Sequence, residues 1–203
     1  MQNISHHRIK WIDFGKGFTI LLVIVAHTLG GIYTNYIYNG YINSIIKIIG
    51  ETLFLFIMPV FFSLSGYLFK NPKSFSDYLL MVKKKAWNLL VPYVVFSIIY
   101  VLLSKVGGKN TYTWNSLFKI YIVPISYLWF LYILFFIFVL VGVVSLFRVC
   151  VNVQIFIYLL IFLVVKLLGI KVYIFDVFCW AVFFCLGIIF RNILPYLRWP
   201  YYH

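Results

Sequence analysis

Long apolar runs separated by short polar joints set the rhythm of this chain. Six of them, at about 12–31, 50–69, 87–104, 127–146, 153–169 and 173–190, are long enough to cross a bilayer, which takes about 20 mostly apolar residues with a latitude of a few. The joints carry helix-breaking or polar residues: Asn71 and Pro72 with the lysines up to Lys85, Gly107 and Gly108 ahead of a polar stretch, Arg148 to Asn152, and Gly169 to Lys171. No soluble domain fits between the runs. The pattern therefore predicts an all-α, polytopic membrane helix bundle of six helices, a single domain over residues 1–203. The first run follows Arg8 and Lys10 and has no small-x-small cleavage site, the mark of a retained helix and not of a removed signal peptide. There is no internal repeat and no low-complexity tract.

Composition agrees: 65% hydrophobic, 22% aromatic and only 10% charged residues lie outside the range of soluble domains. A formal charge of +13 raises the question of nucleic acid. The cations, however, sit between apolar runs and do not gather on one amphipathic face, which excludes that partner and favours a positive-inside topology. With the N-terminus inside, Arg8, Lys10, Lys16, Lys70, Lys73, Lys83, Lys84, Lys85, Arg148, Arg191 and Arg198 are cytoplasmic, 11 of the 17 Lys and Arg residues. The other 6, Lys47, Lys105, Lys109, Lys119, Lys166 and Lys171, fall outside. Both termini are expected in the cytoplasm. Cys150, Cys179 and Cys185 form no CxxC pair and lack metal-ligand spacing, so reduced packing residues and no metal are expected.

The first run keeps polar groups that an inert span would shed. In KGFTILLVIVAH, Lys16 and His27 are separated by a rise of roughly 16 Å and by only about 20° around the helix. Asp13, three residues before Lys16, falls on the neighbouring part of that face. An ion at the bilayer centre costs about 2.5–3.5 kcal/mol even on the gentler insertion scale, so polar groups within a span usually face protein or a watery cavity. The same spacing also suits a Lys16 that reaches the headgroups with Asp13 as its surface partner, and an interfacial His27. Spacing leaves both readings open.

Four motifs in order bring in a resemblance. RIKWIDFGKGFTILLVIVAHT, with Lys16, ten residues and His27, resembles the first membrane helix of the acyltransferase 3 family of membrane acyltransferases, and Asp13 matches the family's acid just before. MPVFFSLSGYLF (Met58–Phe69) is similar to its Pro-x-Phe-Phe-x-x-Ser-Gly-Tyr second helix. KKKAWNLLVPY (Lys83–Tyr93) is similar to its basic loop and Leu-Leu-x-Pro-Tyr third helix, and YLWFLYILF (Tyr127–Phe135) to its Leu-Trp-Phe-Leu helix. FFCLGIIFRN (Phe183–Asn192) is a weaker match to a later Phe-x-x-Gly segment.

The resemblance, closest to the sugar O-acetylase branch, implies a multi-pass enzyme of a bacterial cytoplasmic membrane. Its members pass an acyl group, commonly acetyl, from cytoplasmic acetyl-CoA to a hydroxyl of a cell-surface carbohydrate or lipid-linked sugar. Acyl-CoA, a carbohydrate acceptor and the bilayer are then the partners; acetyl-CoA is a substrate, and no cofactor is bound. A hydroxyl is a weak nucleophile that needs a base, and histidine has an unperturbed pKa of about 6.5. His27 is the candidate base or transient acyl carrier. Lys16, with Asp13, Lys84 and Lys85, is the candidate donor-binding set. The lysine cluster at 83–85 is equally well read as a solvated positive-inside loop.

Glu51, placed at the start of the second helix near His27's depth, is read either as an acid that orients the imidazole or as a solvated helix N-terminus. Asp176 near Lys171 is read as interfacial. Trp129 is read as an aromatic-belt residue or as a stacking surface for the acceptor. Ser63 and Ser65 are expected to serve helix hydrogen bonding, with Gly66 for close packing. Two departures from the family pattern stand out. Lys85 and Asn88 take the places of two arginines, which removes a bidentate phosphate contact, and Ile57 stands where the sugar O-acetylase branch has a histidine.

The family also has more membrane helices than this chain, whose ending LPYLRWPYYH gives an interfacial tail. A genuine short form, a fragment and the product of a truncated reading frame all fit this length. A six-helix chain is expected to act only where a second copy or another polypeptide covers the open side of the first helix. The rival class is a non-catalytic remnant or a polysaccharide export protein.

Overall fold

The computed structural model describes residues 10–35, 38–106, 112, 114–125, 128–170 and 173–197; Arg8, Lys109, Tyr127, Lys171 and Arg198 lie outside them. Among the described residues the order is α1 (Lys10–Thr34), α2 (Gly40–Tyr67), α3 (Phe75–Lys85), α4 (Val91–Val106), α5 (Trp114–Phe118), α6 (Trp129–Leu146), α7 (Val151–Leu167) and α8 (Asp176–Leu197), with no strand. Five stretches are long and apolar enough to cross a membrane: α1, α2, α3 continued into α4, α6 and α8. The apolar α7, with 17 residues, is a little shorter. The chain is an all-α polytopic membrane bundle.

Two elements differ from the sequence reading. The second helix begins at Gly40, ten residues before the expected start. Asn43, buried at 3% exposure, donates its amide to the Tyr33 carbonyl at 3.3 Å and ties the start of α2 to the end of α1, which turns a supposed loop into helix. The third span is not preceded by a basic loop, because Lys83, Lys84 and Lys85 form the last turn of α3 and the helix runs on through a π turn at Ala86–Leu90 into α4. Pro92 explains the wide turn: it has no N–H to offer the Asn88 carbonyl, so the ladder is re-formed with a larger ring just before it. Ser74 starts α3 by accepting from the Asp77 amide at 3.1 Å, a side-chain cap backed by an acid in the first turn.

The helices meet in a definite register. Trp11 packs on Tyr67 with ring centroids 5.1 Å apart, and Ala26 and Leu29 lie opposite Gly50, so α1 and α2 are antiparallel. Phe62 stacks on Trp180 at 5.1 Å and Gly66 lies against Phe184, so α2 and α8 are parallel. The core is the seam between α2, α6 and α8, where Phe62, Ile133, Ile137, Val141, Phe184, Cys185 and Ile188 are almost fully buried.

The α2–α8 seam depends on backbone contact. An ideal Cβ on Gly66 would stand 1.9 Å from the Phe184 carbonyl oxygen, and one on Gly187 would stand 1.9 Å from that of Ser63. Small residues at both positions let the two backbones touch, the usual way to gain contact between helices in lipid, where water expulsion does not drive association. Ser63 donates its hydroxyl to the Phe183 carbonyl at 2.9 Å across the seam, and Ser65 bonds back to Phe61 at 3.0 Å within α2. Arg191 of α8 donates to the Phe69 carbonyl, two residues past the end of α2.

Candidate active site

α1 buries Ile12, Thr19 and Ala26, at 1%, 3% and 0% exposure. Their spacing of seven residues is about 20° short of two turns, so the three form one stripe. Thr19 hides its hydroxyl on the Gly15 carbonyl at 2.7 Å. Lys16 and His27 are both half-buried and lie together on the flank of this stripe. Asp13 does not join them: it is about 60° further round than Lys16 and is exposed. The expected three-residue face is therefore a two-residue face, because Asp13 falls beyond the width that α2 covers.

His27 sits against Phe54 of α2, with ring centroids 4.7 Å apart and planes at 57°. Trp180 meets the same helix at Phe62, eight positions on, a rise of roughly 12 Å. The imidazole thus lies beyond the level at which α6 and α8 begin, on the part of α2 that those helices do not cover.

At the other end of α1, Lys16 gains a partner that spacing alone did not reveal. Lys85 is half-buried, and its Nζ lies 3.7 Å from the ring centroid of Phe138 on α6. The charges of Lys16 and Lys84 both act on it. Among the described residues the ion pairs are Lys47 with Glu51 and Lys166 with Asp176, so neither Lys16 nor Lys85 is ion-paired with an acid. Two like charges that act on each other in partly apolar surroundings favour an anion near them. Lys84 is exposed. Lys85 was singled out in the sequence as part of a cluster, but its inward direction was readable too. Tyr78, Met81, Val82, Lys85 and Leu89 follow the three- and four-residue steps of a helix face, and all of them are at least half-buried.

Glu51 is placed differently from its expected role. It lies well inside α2, is exposed, and pairs with Lys47 one turn earlier, Nζ to Oε1 3.8 Å. An exposed pair at this spacing contributes about 0.3–0.5 kcal/mol. Glu51→Gln is accordingly expected to leave both turnover and the unfolding midpoint close to those of the parent; a large drop in turnover would reinstate the carboxylate as the partner of the imidazole.

Trp129 opens α6, half-buried, with its ring 5.6 Å from that of Trp180. The two border a cleft of about 440 Å³ with Phe162, Lys166, Asp176 and Cys179. Asp176 is ion-paired with Lys166 at 3.5 Å. The long seam of α2 with α8 and the Arg191 contact are further features that no single motif announced.

Fold and site together define a multi-pass membrane protein whose first helix carries a cation at one level and an imidazole at another, with a second cation brought to the first. The chain belongs to the acyltransferase 3 family: the family described as "Acyltransferase domain" matches residues 9–201. It is similar to Nodulation protein NolL of Mesorhizobium japonicum, 28% identical over 145 residues, which is 71% of this chain and 38% of that protein. The match thus spans well under half of that relative. No solved structure matches the chain.

Proposed function

We propose that this chain transfers an acyl group, acetyl in the first instance, from cytoplasmic acyl-CoA to a hydroxyl of a carbohydrate acceptor at the opposite face of a bacterial cytoplasmic membrane. The observation that carries this reading is that Lys16 and Lys85, from separate helices, act on each other's charge while His27 stands on the same flank of α1 as Lys16, roughly 16 Å further along. An anionic nucleotide head on a long flexible arm matches that separation. The head rests by its phosphates on the two ammonium groups, and the arm extends towards the imidazole with the thioester at its tip.

In the transfer, His27 takes the proton of the acceptor hydroxyl as its oxygen bonds to the thioester carbonyl carbon. The C–S bond then breaks, and the proton passes to the departing thiolate, so that ester and free CoA thiol are formed and the imidazole is neutral again. Lysines in place of arginines hold the phosphates as point charges, without the fork-shaped contact of a guanidinium. α1 packs chiefly on α2, so lipid, a second copy or another polypeptide against its remaining flank completes the surroundings of His27.

The test is release of CoA thiol from acetyl-CoA by the chain in lipid nanodiscs, with and without a sugar acceptor. Lys16→Met and Lys85→Met are each expected to raise the KM for acetyl-CoA by about tenfold or more, the weight of one hydrogen bond to a charged group, and to leave the KM for the acceptor unchanged. Absence of acceptor-dependent thiol release, or an unchanged donor KM in both variants, overturns the proposal.

A further inference from the structure

The cleft between the starts of α6 and α8 and the end of α7 is unused by the transfer chemistry described above. Its walls come from three helices: Trp129 from α6, Phe162 and Lys166 from α7, and Asp176, Cys179 and Trp180 from α8. Its volume of about 440 Å³ falls within the range of roughly 300–1,000 Å³ typical of small-molecule sites. The indoles of Trp129 and Trp180 converge on it at 5.6 Å with 41° between their planes, instead of fanning out singly into lipid as belt tryptophans do. Trp180 is fixed from behind by Phe62 at 5.1 Å and Phe183 at 5.9 Å. Opposite the rings stands the ion pair of Lys166 and Asp176, with side chains 56% and 37% exposed. The cleft therefore offers flat apolar faces together with a carboxylate and an ammonium that keep free hydrogen-bonding capacity.

That combination fits one class of ligand, a pyranose ring, whose C–H face lies on an indole while its hydroxyls donate to a carboxylate and accept from an ammonium. The position of the cleft adds a second point. His27 packs on Phe54 and Trp180 on Phe62, levels roughly 12 Å apart along α2. That is more than one ring spans, so a ring stacked on Trp180 does not itself present a hydroxyl to the imidazole.

We propose that the Trp129–Trp180–Asp176–Lys166 cleft binds a pyranose unit next to the one that is acylated, so that the acceptor has at least two sugar rings. This rests on the acyl-transfer reading for the word acceptor, while the cleft's affinity for a sugar ring stands independently of it.

The experiment uses the full chain in nanodiscs and reads tryptophan fluorescence on titration with methyl glucoside, methyl galactoside, methyl mannoside, dodecyl glucoside, and glucose di- and trisaccharides. Saturable quenching by at least one of these sugars is expected. Asp176→Asn should weaken it by about tenfold or more, as loss of a hydrogen bond to a charged group implies, with an unfolding midpoint close to the parent's; Trp129→Ala, which removes the stacking face, should weaken it as well, and Trp129→Phe, which keeps a ring, should weaken it less. Binding of the dodecyl but not the methyl glycosides identifies a lipid-borne ring and supports the proposal equally. In transfer assays, oligosaccharides should exceed the methyl glycosides in kcat/KM, and Asp176→Asn should narrow that gap by raising the KM for the longer acceptors.

Sugar binding without any CoA release upholds the cleft and leaves the transfer reading to fail alone. No saturable binding, binding indifferent to Asp176→Asn and Trp129→Ala, or transfer to methyl glycosides as efficient as to oligosaccharides overturns the proposal.

Discussion

Replacement of His27 by alanine is expected to abolish acyl transfer while the chain still folds. The side chain is only half-buried on the flank of α1 and rests on the face of Phe54, whereas the seam of α1 with α2 is made by Ile12, Thr19, Ala26 and Gly50, none of which the change disturbs. Loss of a positioned base lowers the rate by about 10²–10⁴-fold. His27→Gln separates proton transfer from hydrogen bonding, since an amide keeps a donor and an acceptor but cannot take up a proton at neutral pH. It should fail nearly as badly as the alanine form. Turnover with acetyl-CoA and a sugar acceptor, measured beside the unfolding midpoint in the same nanodiscs, checks both; near-native turnover by the glutamine form would rule out base catalysis at this position.

A large loss of stability is expected from Gly66→Ala and from Gly187→Ala. Each added methyl meets a carbonyl oxygen of the facing helix at 1.9 Å in the present geometry, and backbone cannot rotate out of the way as a side chain could. α2 and α8 must part. Parting stretches the Ser63 bond to Phe183 and loosens the packing of Phe62, Trp180 and Phe184 behind it. Overpacking alone costs about 1–3 kcal/mol, and a lost hydrogen bond about another 1 kcal/mol, so a drop of about 3 kcal/mol or more is expected. Gly17→Ala and Gly30→Ala are the controls, because a Cβ at either position meets nothing within 4 Å. There, alanine's helix propensity, better than glycine's by about 0.8–1.0 kcal/mol, makes the change neutral or mildly stabilising. Unfolding by heat or by a denaturing detergent resolves the contrast, and equal behaviour of the two pairs would mean that the seam tolerates separation.

Helix class was legible because hydrophobic length and helical period act within one segment and need no partner. The boundaries were less so. Residues 40–49 mix Asn43, Ser44 and Lys47 with isoleucines and read as a loop; Asn43 is helical because its amide reaches Tyr33 in the preceding helix. The lysine cluster at 83–85 reads as a loop by its charge, whereas the helix face through Tyr78, Met81, Lys85 and Leu89 runs across it. At the site, the sharing of one flank by Lys16 and His27 followed from their spacing, whereas the inclusion of Asp13 did not survive, since a 60° difference matters only once the width of the covering helix is known. Glu51 lies exposed and paired with Lys47, a partner that depth along an axis does not reveal.

By itself, then, the sequence determined a basic, polytopic helical membrane protein with a cation and an imidazole aligned on its first helix, and the order of its motifs pointed to its family. The tertiary structure alone decided which groups from separate helices meet: Lys85 over the ring of Phe138, Ser63 on Phe183 from 120 residues away, and Trp129 converging with Trp180 over the pair of Lys166 and Asp176. The physical reason is that hydropathy and period place a residue on a face and at a depth of its own helix. The rotation and register of one helix against another are set by contact between backbones, here by two glycines that let α2 and α8 touch.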